Sequence, residues 1–231
     1  MNTILPPGYP LRPVNGGPLP KAQPKRGKYR WEPKVNGWRA WTHTESSLMF
    51  NRHNEPLSIT KEFRPVLDRI RDARLALKWL DTEAFERRHP LGRGSLIILD
   101  FAPTDPFPAG VTLDERLQIQ HEILQNIAQP WAFLHEPPPE NELLYFAYTF
   151  TDYGIPVPQS EQDWLADQGH YQGEDVDGIH TAWRQLQEVN RLLGAEVFEG
   201  LVAKRLDSRY PLQSHSSDQE FPFWTKHRWR F

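Results

Sequence analysis

The sequence predicts an α+β fold in which mainly antiparallel sheets carry inserted helices. Short apolar or alternating runs, typical of strands, are spread along most of the chain, and only three segments have helical spacing. Their order is mixed, which is typical of the α+β class. With 231 residues the chain is long enough for one large domain or two small ones.

Composition narrows the classes of protein further. The hydrophobic content of 38% and the aromatic content of 12% suit a folded protein. The absence of cysteine excludes disulfides and thiolate chemistry. No apolar run approaches the roughly 18 residues of a membrane span, and the proline-rich start lacks the apolar core of a signal peptide. We therefore expect a cytoplasmic protein, and its net charge of −3 argues against broad nonspecific nucleic-acid binding.

The N-terminal third is expected to begin with an arm and continue into a hairpin. Residues 1–27 are crowded with proline and glycine, which predicts an extended arm that forms no packed element, followed by one domain over residues 28–231. Residues 29–35 and 38–42 have the pattern of strands, with Asn36 and Gly37 between them. Asn-Gly is typical of a two-residue hairpin turn, in which both residues have positive φ.

The remaining elements follow from periodicity and from capping signals. A third strand is predicted at 48–52, and a helix follows in which Pro65 is tolerable only in the first turn. Thr112 to Glu115 form a capping box, which predicts a helix to about residue 127. Gly194 is well placed to end a helix over 179–193. The other predicted strands are 79–85, 96–101, 143–150, 197–205 and 221–229, and the predicted polar, mobile loops are 136–142 and 206–220.

Five segments combine charged or aromatic residues with apolar strands. Each has an ordinary interpretation when taken alone: a solvated lysine, a solvated glutamate at a strand end, or a plain buried strand. Two charges that bracket an apolar strand, as in the fourth segment, are unusual without a polar ligand. The segments are Lys34-Val35-Asn36-Gly37-Trp38-Arg39, Asp81-Thr82-Glu83, Ile97-Ile98-Leu99-Asp100-Phe101, Glu199-Gly200-Leu201-Val202-Ala203-Lys204 and Trp224-Thr225-Lys226-His227-Arg228.

In this order the five segments resemble the motifs of the covalent nucleotidyltransferases, which comprise ATP-dependent DNA ligases, RNA ligases and mRNA capping enzymes. The first resembles the lysine–x–aspartate–glycine–x–arginine signature, with Asn36 in place of the aspartate. In the third, Leu99 stands where the family carries an aromatic that stacks on the base, and alternation would put Phe101 on the same face. In the fifth, Arg228 replaces a lysine.

The resemblance implies roles for individual residues. Lys34 would attack the α-phosphate of ATP and carry AMP as a phosphoramidate, while Lys204 and Lys226 would act beside it as catalytic cations. Glu199 would hold a Mg²⁺ ion. Contacts to the nucleotide would come from Glu32, Arg39, Arg52, Glu83, Leu99, Lys204, Lys226 and Arg228, with Glu32 accepting from the adenine amino group and Glu83 binding the ribose.

The implied protein is the adenylation domain of an ATP-dependent DNA ligase, with an ATP-grasp-like fold. It would act, as a monomer, on nicked DNA with a 5′-phosphate and a 3′-hydroxyl. An RNA ligase and a noncatalytic nucleotide or nucleic-acid binding module are the alternatives. DNA ligases continue into an OB-fold domain with a sixth motif, and no such pattern follows residue 228. A separate OB-fold domain or protein is therefore a further expected partner.

The sequence lacks the motifs of other common catalytic chemistries. The first segment also leads to a prediction about one substitution, at Asn36. No His-Glu-x-x-His, Walker-type glycine-rich loop or Gly-x-Ser-x-Gly elbow is present. Asparagine at position 36 keeps the turn without placing a carboxylate beside the lysine amine. Asn36→Asp is therefore expected to preserve the fold and to move lysine adenylation to higher pH.

Overall fold

Two mixed sheets dominate the structure, a computed structural model that describes residues 4–18, 29–85, 94–104, 106–130, 144–146, 178–215 and 218–229. The strands in chain order are β1 (Tyr9–Pro10), β2 (Arg12–Asn15), β3 (Tyr29–Val35), β4 (Trp38–His43), β5 (Leu48–Phe50), β6 (Trp79–Phe85), β7 (Ser95–Phe101), β8 (Gln129–Pro130), β9 (Leu144–Phe146), β10 (Phe198–Arg205), β11 (Leu212–Gln213) and β12 (Glu220–Arg228). The helices are α1 (Arg64–Asp72), α2 (Leu113–Leu124) and α3 (Gly178–Leu193), and a 3₁₀ helix covers Ser58–Phe63.

The sheets have different strand orders. The smaller one has the order β2-β12-β10-β3, and the larger one β5-β4-β6-β7-β9-β8, while β1 pairs only with β11. Most neighbours are antiparallel, but β2 is parallel to β12, and β9 is parallel to both β7 and β8. The predicted α+β class is confirmed, with a larger parallel share than expected.

The predicted β3–β4 hairpin is wrong. Instead β3 pairs with β10 in the smaller sheet, and β4 pairs with β5 and β6 in the larger one. Neither Asn36 nor Gly37 has positive φ. The amide N–H of Asn36 donates to the Val197 carbonyl at 2.8 Å, so the segment is held by a strand distant in sequence. The chain therefore crosses from one sheet to the other here, which puts Lys34 and Arg39 on opposite sheets.

The helices agree closely with the prediction because their signals are local. In α2 both bonds of the Thr112–Glu115 capping box form, and α3 is followed by Gly194 with φ of 62°. Helix α2 ends at Leu124 rather than near residue 127, since the Leu124 carbonyl accepts from Ile127 and Ala128 in a closing turn. In the described part of the chain no helix is long and apolar enough to span a membrane.

Three apolar clusters hold these elements together. One packs α3 on the smaller sheet through Trp183, Leu186 and Val189, and a second packs α1 and α2 on the larger sheet. A third joins the two sheets through aromatic side chains that include Trp41, Trp79 and Trp224. Fully burying a large apolar side chain stabilises the fold by roughly 1.5–3 kcal/mol, so the third cluster anchors the two sheets against each other.

Two segments expected to lie outside the packed fold contain paired strands. In the N-terminal arm, β1 pairs with β11 and β2 pairs with β12. The predicted loop 206–220 contains β11, and Ser208 and Tyr210 in it are buried. Both departures have the same cause, because the partner strands lie at the opposite end of the chain. The predicted strand 143–150 is described only at β9, while loop 136–142 and the boundary near residue 27 lie outside the described residues.

Candidate active site

A cavity of about 460 Å³ lies between the two sheets. All ten residues singled out from the sequence line it: Glu32, Lys34, Arg39, Arg52, Glu83, Leu99, Glu199, Lys204, Lys226 and Arg228. These residues are scattered over nearly 200 positions, so their meeting follows from the sheet pairings and not from sequence proximity. The chemical roles assigned to them stay predictions.

Lys34 lies near the end of β3 and forms an ion pair across the sheet. Its Nζ lies 2.6 Å from Oε2 of Glu199, and Nε of Arg228 lies 3.0 Å from the same oxygen. The sheet register explains this arrangement, because Gly200 of β10 pairs with Lys34 on one side and with Arg228 on the other. Glu199 therefore stands between two cations that come from neighbouring strands.

A β-bulge in β10 orients Glu199. The register of β10 against β3 shifts between Phe198 and Gly200, and such a bulge redirects the side chain of the extra residue. Gly200 has φ of 146°, and a Cβ atom there would lie 1.8 Å from the His227 carbonyl oxygen. Only glycine fits this close approach, so the Glu-Gly pair of the fourth segment is required by the backbone.

Glu32 and Lys204 form a buried ion pair in the cavity floor. Lys204 Nζ lies 2.7 Å from Oε2 of Glu32, and only 5% and 2% of the two side chains are exposed. Lys204 also donates to the Leu99 carbonyl at 3.2 Å and lies 4.9 Å from the centre of the Trp224 ring. Arg30 contacts the other oxygen of Glu32 at 3.1 Å. Both carboxylate oxygens are thus engaged, and an adenine amino group would share them.

Arg39 is held by two residues that the sequence analysis did not select. It donates from Nε and Nη2 to the two oxygens of Asp81 at 2.9 and 2.6 Å. The Tyr210 hydroxyl donates to Asp81 at 2.6 Å and accepts from Arg39 at 3.3 Å. Burial and the neighbouring Asp81 raise the pKa of Tyr210 well above its ordinary value, which keeps the phenol protonated. This network fixes Arg39 and offsets its charge.

Glu83 is an acidic group of the cavity whose proton affinity is raised. Burial raises the pKa of Glu83 to about 7, although the charges of Lys34 and Arg39 oppose that shift. The amide N–H of Gly37 donates to the carboxylate at 3.1 Å. A Cβ atom at Gly37 would lie 2.8 Å from the Ala84 carbonyl oxygen, so the glycine is needed for this close approach rather than for a turn.

Leu99, and not Phe101, lines the cavity. The register between β6 and β7 shifts between Asp81 and Thr82, which leaves Leu99 as the extra residue of a bulge. The bulge reverses the alternation of faces, so Phe101 lies fully buried in the cluster beneath α1 and α2. The expectation that both side chains share one face was wrong for this reason, and the candidate apolar contact for a base is Leu99.

Strand β12 contributes the basic wall of the cavity. Trp224, Lys226 and Arg228 alternate onto one face, as the sequence predicted, and all three line the cavity. Desolvation and the charge of Arg228 lower the pKa of Lys226. Seven basic and four acidic side chains line the cavity. The cavity is therefore positive in a chain whose net charge is −3, which suits a polyanionic ligand.

Arg52 and Trp38 stand at the cavity mouth. Arg52 lies in a turn that follows β5. The Oδ1 atom of Asn51 stabilises this turn, because it accepts from the amide N–H groups of His53 and Glu55 at 2.8 and 3.1 Å. Arg52 is exposed and donates to the His53 ring at 3.1 Å. Trp38 is 54% exposed, which is unusual for a large aromatic. The mouth thus presents an aromatic and a cation to solvent.

Glu199 is the carboxylate that the sequence predicted to hold a Mg²⁺ ion. In the part of the chain that the structure describes, no group of three or more histidine, aspartate or glutamate side chains could hold a metal ion. Mg²⁺ is commonly bound through one or two carboxylates together with substrate phosphates. Both ion pairs of Glu199 use Oε2, and its side chain is 28% exposed. Glu199 therefore fits a metal that enters with a phosphate ligand.

Two residues that line the cavity, Asp81 and Arg12, and one residue that supports it, Tyr210, were missed for different reasons. Asp81 could have been found, because alternation along β6 places it on the same face as Glu83. Tyr210 and Arg12 carried no local signal. Tyr210 lies in a segment with loop composition, and Arg12 reaches the cavity only because β2 pairs with a strand more than 200 residues away.

Comparisons with known proteins agree with this fold. No protein-family model matches the chain, and no curated protein matches its sequence. Among solved structures, "Pmar-Lig_Pre." matches with a TM-score of 0.54 and 14% identity, over 96% of this chain and 47% of that one. A structure of Lig E DNA ligases matches with a TM-score of 0.50 and 14% identity, over 96% of this chain and 68% of that one. The Chlorella virus DNA ligase-adenylate matches with a TM-score of 0.52 and 12% identity, over 94% of this chain and 67% of that one.

These similarities concern the fold. The expected ligase-type fold is confirmed. The chain spans about half the length of the first of these proteins and about two thirds of the other two. At such low identities the shared fold leaves activity and substrate open.

Proposed function

We propose that this chain is the adenylating domain of an ATP-dependent polynucleotide ligase, with DNA as its substrate and with the two sheets closing on the nucleotide in an ATP-grasp-like manner. The observation that carries the proposal is the meeting, in one positive cavity of a ligase-type fold, of the ten residues that the sequence resemblance selected. Fold similarity by itself carries less weight, because one fold can support unrelated functions.

The first chemical step would be attack by Lys34 on the α-phosphorus of ATP. The ammonium must first lose a proton to solvent, and Glu199, whose Oε2 lies 2.6 Å from the nitrogen, would orient the amine. The nitrogen lone pair then forms the bond to phosphorus, the bond from that phosphorus to the bridging oxygen breaks, and the nitrogen gives up its second proton to solvent. Pyrophosphate leaves, and Lys34 carries AMP as a phosphoramidate.

The basic wall would stabilise the charge that develops in this step. Lys226 makes no ion pair with a carboxylate in the described ranges, so its charge is available to a phosphate oxygen. Arg228 could exchange its contact with Glu199 for a phosphate. Fixed cations in a partly desolvated cavity act strongly on such charge. Mg²⁺ held by Glu199 would supply further neutralisation of the leaving pyrophosphate.

The later steps would use the polynucleotide. A 5′-phosphate oxygen would displace Lys34 from the AMP phosphorus, and a 3′-hydroxyl would then displace AMP to seal the strand. Arg52 and Trp38 at the mouth are placed where a strand end would approach, with a cation for phosphate and a ring for stacking. A cytoplasmic monomer that serves DNA repair, recombination or replication is the setting that we propose for this activity.

Covalent labelling tests the proposal. The protein is incubated with ATP labelled at the α-phosphate and Mg²⁺, denatured, and examined for retained label; GTP is tested in parallel. Label from ATP that is chased onto 5′-phosphorylated nicked DNA supports the proposal. Preference for nicked RNA would favour an RNA ligase, and efficient use of GTP would favour capping-type chemistry. Reversible nucleotide binding without label would favour the noncatalytic binding module.

A further inference from the structure

The N-terminal strand completes one wall of the cavity. Strand β2 lies parallel to β12 at the edge of the smaller sheet, with Val14 and Asn15 beside Thr225 and Lys226. The Gly16 amide donates to the Lys226 carbonyl at 2.9 Å, and the His227 ring contacts the Gly17 carbonyl at 2.9 Å. A Cβ atom at Gly16 would lie 2.5 Å from the Thr225 and His227 side chains. The strand is thus closely seated.

This seating brings Arg12 to the cavity, where its direct partner in the strand register is Glu220 at the start of β12. Arg12, Pro10 and Pro13 line the same space as Lys226 and Arg228. The charge of Arg12 is among those that lower the pKa of Lys226, after desolvation and the larger effect of Arg228. Arg12 therefore extends the basic wall by one strand.

The ion pair of Arg12 is one that a ligand can replace. Its Nη2 lies 2.9 Å from Oδ1 of Asp218, whose side chain is 89% exposed. Exposed ion pairs of this kind contribute only about 0–1 kcal/mol. A guanidinium gains more from a phosphate, which it can bind through two parallel hydrogen bonds. Arg12 is 39% exposed and so accessible to a ligand in the cavity.

The order of strands fixes which part of a nucleotide would meet Arg12. Lys34 is on β3 and Arg12 is on β2, at opposite edges of the four-stranded sheet. Neighbouring strands are about 4.8 Å apart, so the outer strands lie roughly 14 Å apart. The register also offsets the two residues along the strands, because Lys34 is level with Arg228 whereas Arg12 is level with Glu220. With Lys34 at the α-phosphate, a phosphate chain that extends past Lys226 would approach Arg12, whose charge acts on Lys226.

We infer that Arg12 binds the distal phosphates of a nucleoside triphosphate in this cavity and thereby sets its preference for ATP over AMP. The inference rests on the proposed function for the position of the α-phosphate. It makes the N-terminal segment part of the binding site rather than an appendage. Arg12 would not touch the base, the ribose or the α-phosphate.

Equilibrium binding of ATP and AMP tests the inference. The measurements use full-length protein carrying Lys34→Ala, so that no covalent adduct forms, with and without Arg12→Ala. Loss of charge-assisted hydrogen bonds to phosphate should weaken ATP about tenfold or more and leave AMP within about twofold. Arg12→Lys keeps the charge but loses the paired hydrogen bonds. Its ATP affinity should therefore lie between that of the protein with arginine at position 12 and that of the protein with alanine there.

A matched control separates binding from general charge effects. Arg71 on α1 has similar exposure, 42%, and pairs with Asp68 and Asp72 away from the cavity. Arg71→Ala should leave both affinities unchanged. Thermal unfolding of each variant checks that the strand stays folded. Equal weakening of ATP and AMP by Arg12→Ala would mean a structural role and would overturn the inference, as would unchanged ATP binding.

The outcome is separable from that of the proposed function. If the unmodified chain acquires label from ATP but Arg12→Ala keeps the full preference for ATP, the inference fails and the proposed function stands. If the chain binds ATP through Arg12 without acquiring label, the inference stands and the adenylation proposal fails.

Discussion

At the scale of single residues, Asn36 shows how the structure changes the meaning of a motif. Its side-chain amide donates to the Glu196 carbonyl at 2.8 Å, across the connection between the two sheets. The carboxylate expected at this position would bring an oxygen against that carbonyl. The structure therefore adds an expectation of lower stability to the prediction that Asn36→Asp preserves the fold.

We predict that Asn36→Asp lowers the free energy of unfolding by about 1 kcal/mol at neutral pH, since a donor is lost and two acceptors face each other. The loss should shrink at acid pH, where a protonated carboxyl can donate again. Urea unfolding at both pH values measures it, with Asn36→Ala as the variant that loses the donor without adding charge. Equal stability of the aspartate and asparagine proteins would show that the Glu196 contact contributes nothing.

Glu83 gives a prediction about pH. Its pKa is about 7 in the folded protein against 4.5 when unperturbed, so the folded state binds the proton more tightly. Such a group contributes stability that is complete below about pH 4.5 and is lost as the pH rises through 7. Glutamine at this position keeps an acceptor for the Gly37 amide but cannot ionise.

We therefore predict that Glu83→Gln flattens the pH dependence of stability between pH 4.5 and 8. As the pH rises over this range, the free energy of unfolding of the variant should increase by about 1–3 kcal/mol relative to that of the parent protein. Denaturant unfolding across the range measures the difference. Glu122→Gln, an exposed substitution on α2, is the control and should leave the parent profile unchanged. Parallel profiles for the parent and Glu83→Gln proteins would contradict the raised pKa.

At the scale of elements, the bulge in β10 joins folding to the site. It places Glu199 between Lys34 and Arg228, and it depends on a glycine whose backbone nearly touches the β12 backbone. A second bulge, in β7, similarly puts Leu99 in the cavity and Phe101 in the core. Bulges are common beside active sites, where they redirect a side chain.

Gly200→Ala should destabilise the fold by about 3 kcal/mol or more, because the added Cβ meets the His227 carbonyl and the φ of 146° is strained for alanine. Gly110→Ala is the matched control, since a Cβ there meets nothing within 4 Å and φ is not positive. Both are compared by chemical denaturation. Similar small effects of the two substitutions would mean that the β10–β12 contact relaxes easily and that the bulge does not fix Glu199.

The elements also show which parts of the fold and of the candidate site could be predicted from the sequence. Strand β6 was predicted at its observed bounds and the capping box of α2 was found, because both signals lie within a few residues. The five candidate segments were also local patterns. The β3–β4 hairpin was mispredicted because Asn-Gly has two uses, a tight turn and a close backbone approach, and only the partner at Glu83 distinguishes them.

At the scale of the whole molecule, long-range pairing decides what the local patterns left open. Strand β2 near the start of the chain lies beside β12, the last of the described strands, and this pairing carries Arg12 to the cavity. The Tyr210–Asp81–Arg39 network likewise joins a segment near the C-terminus to the larger sheet. Neither has a signature in a single sequence, since the pattern of a strand does not name its partner.

The central claim is that this cavity makes Lys34 a nucleophile. The most direct measurement is the mapping of label from α-labelled ATP on the parent, Lys34→Arg, Lys34→Ala and Lys226→Arg proteins after denaturation. We predict label on the Lys34 peptide of the parent and none on either Lys34 variant, because a guanidinium is not deprotonated near neutral pH. Lys226→Arg keeps the charge and should retain labelling on Lys34 at a reduced rate. Label that persists in the Lys34 variants, or that maps to Lys226, would contradict the account.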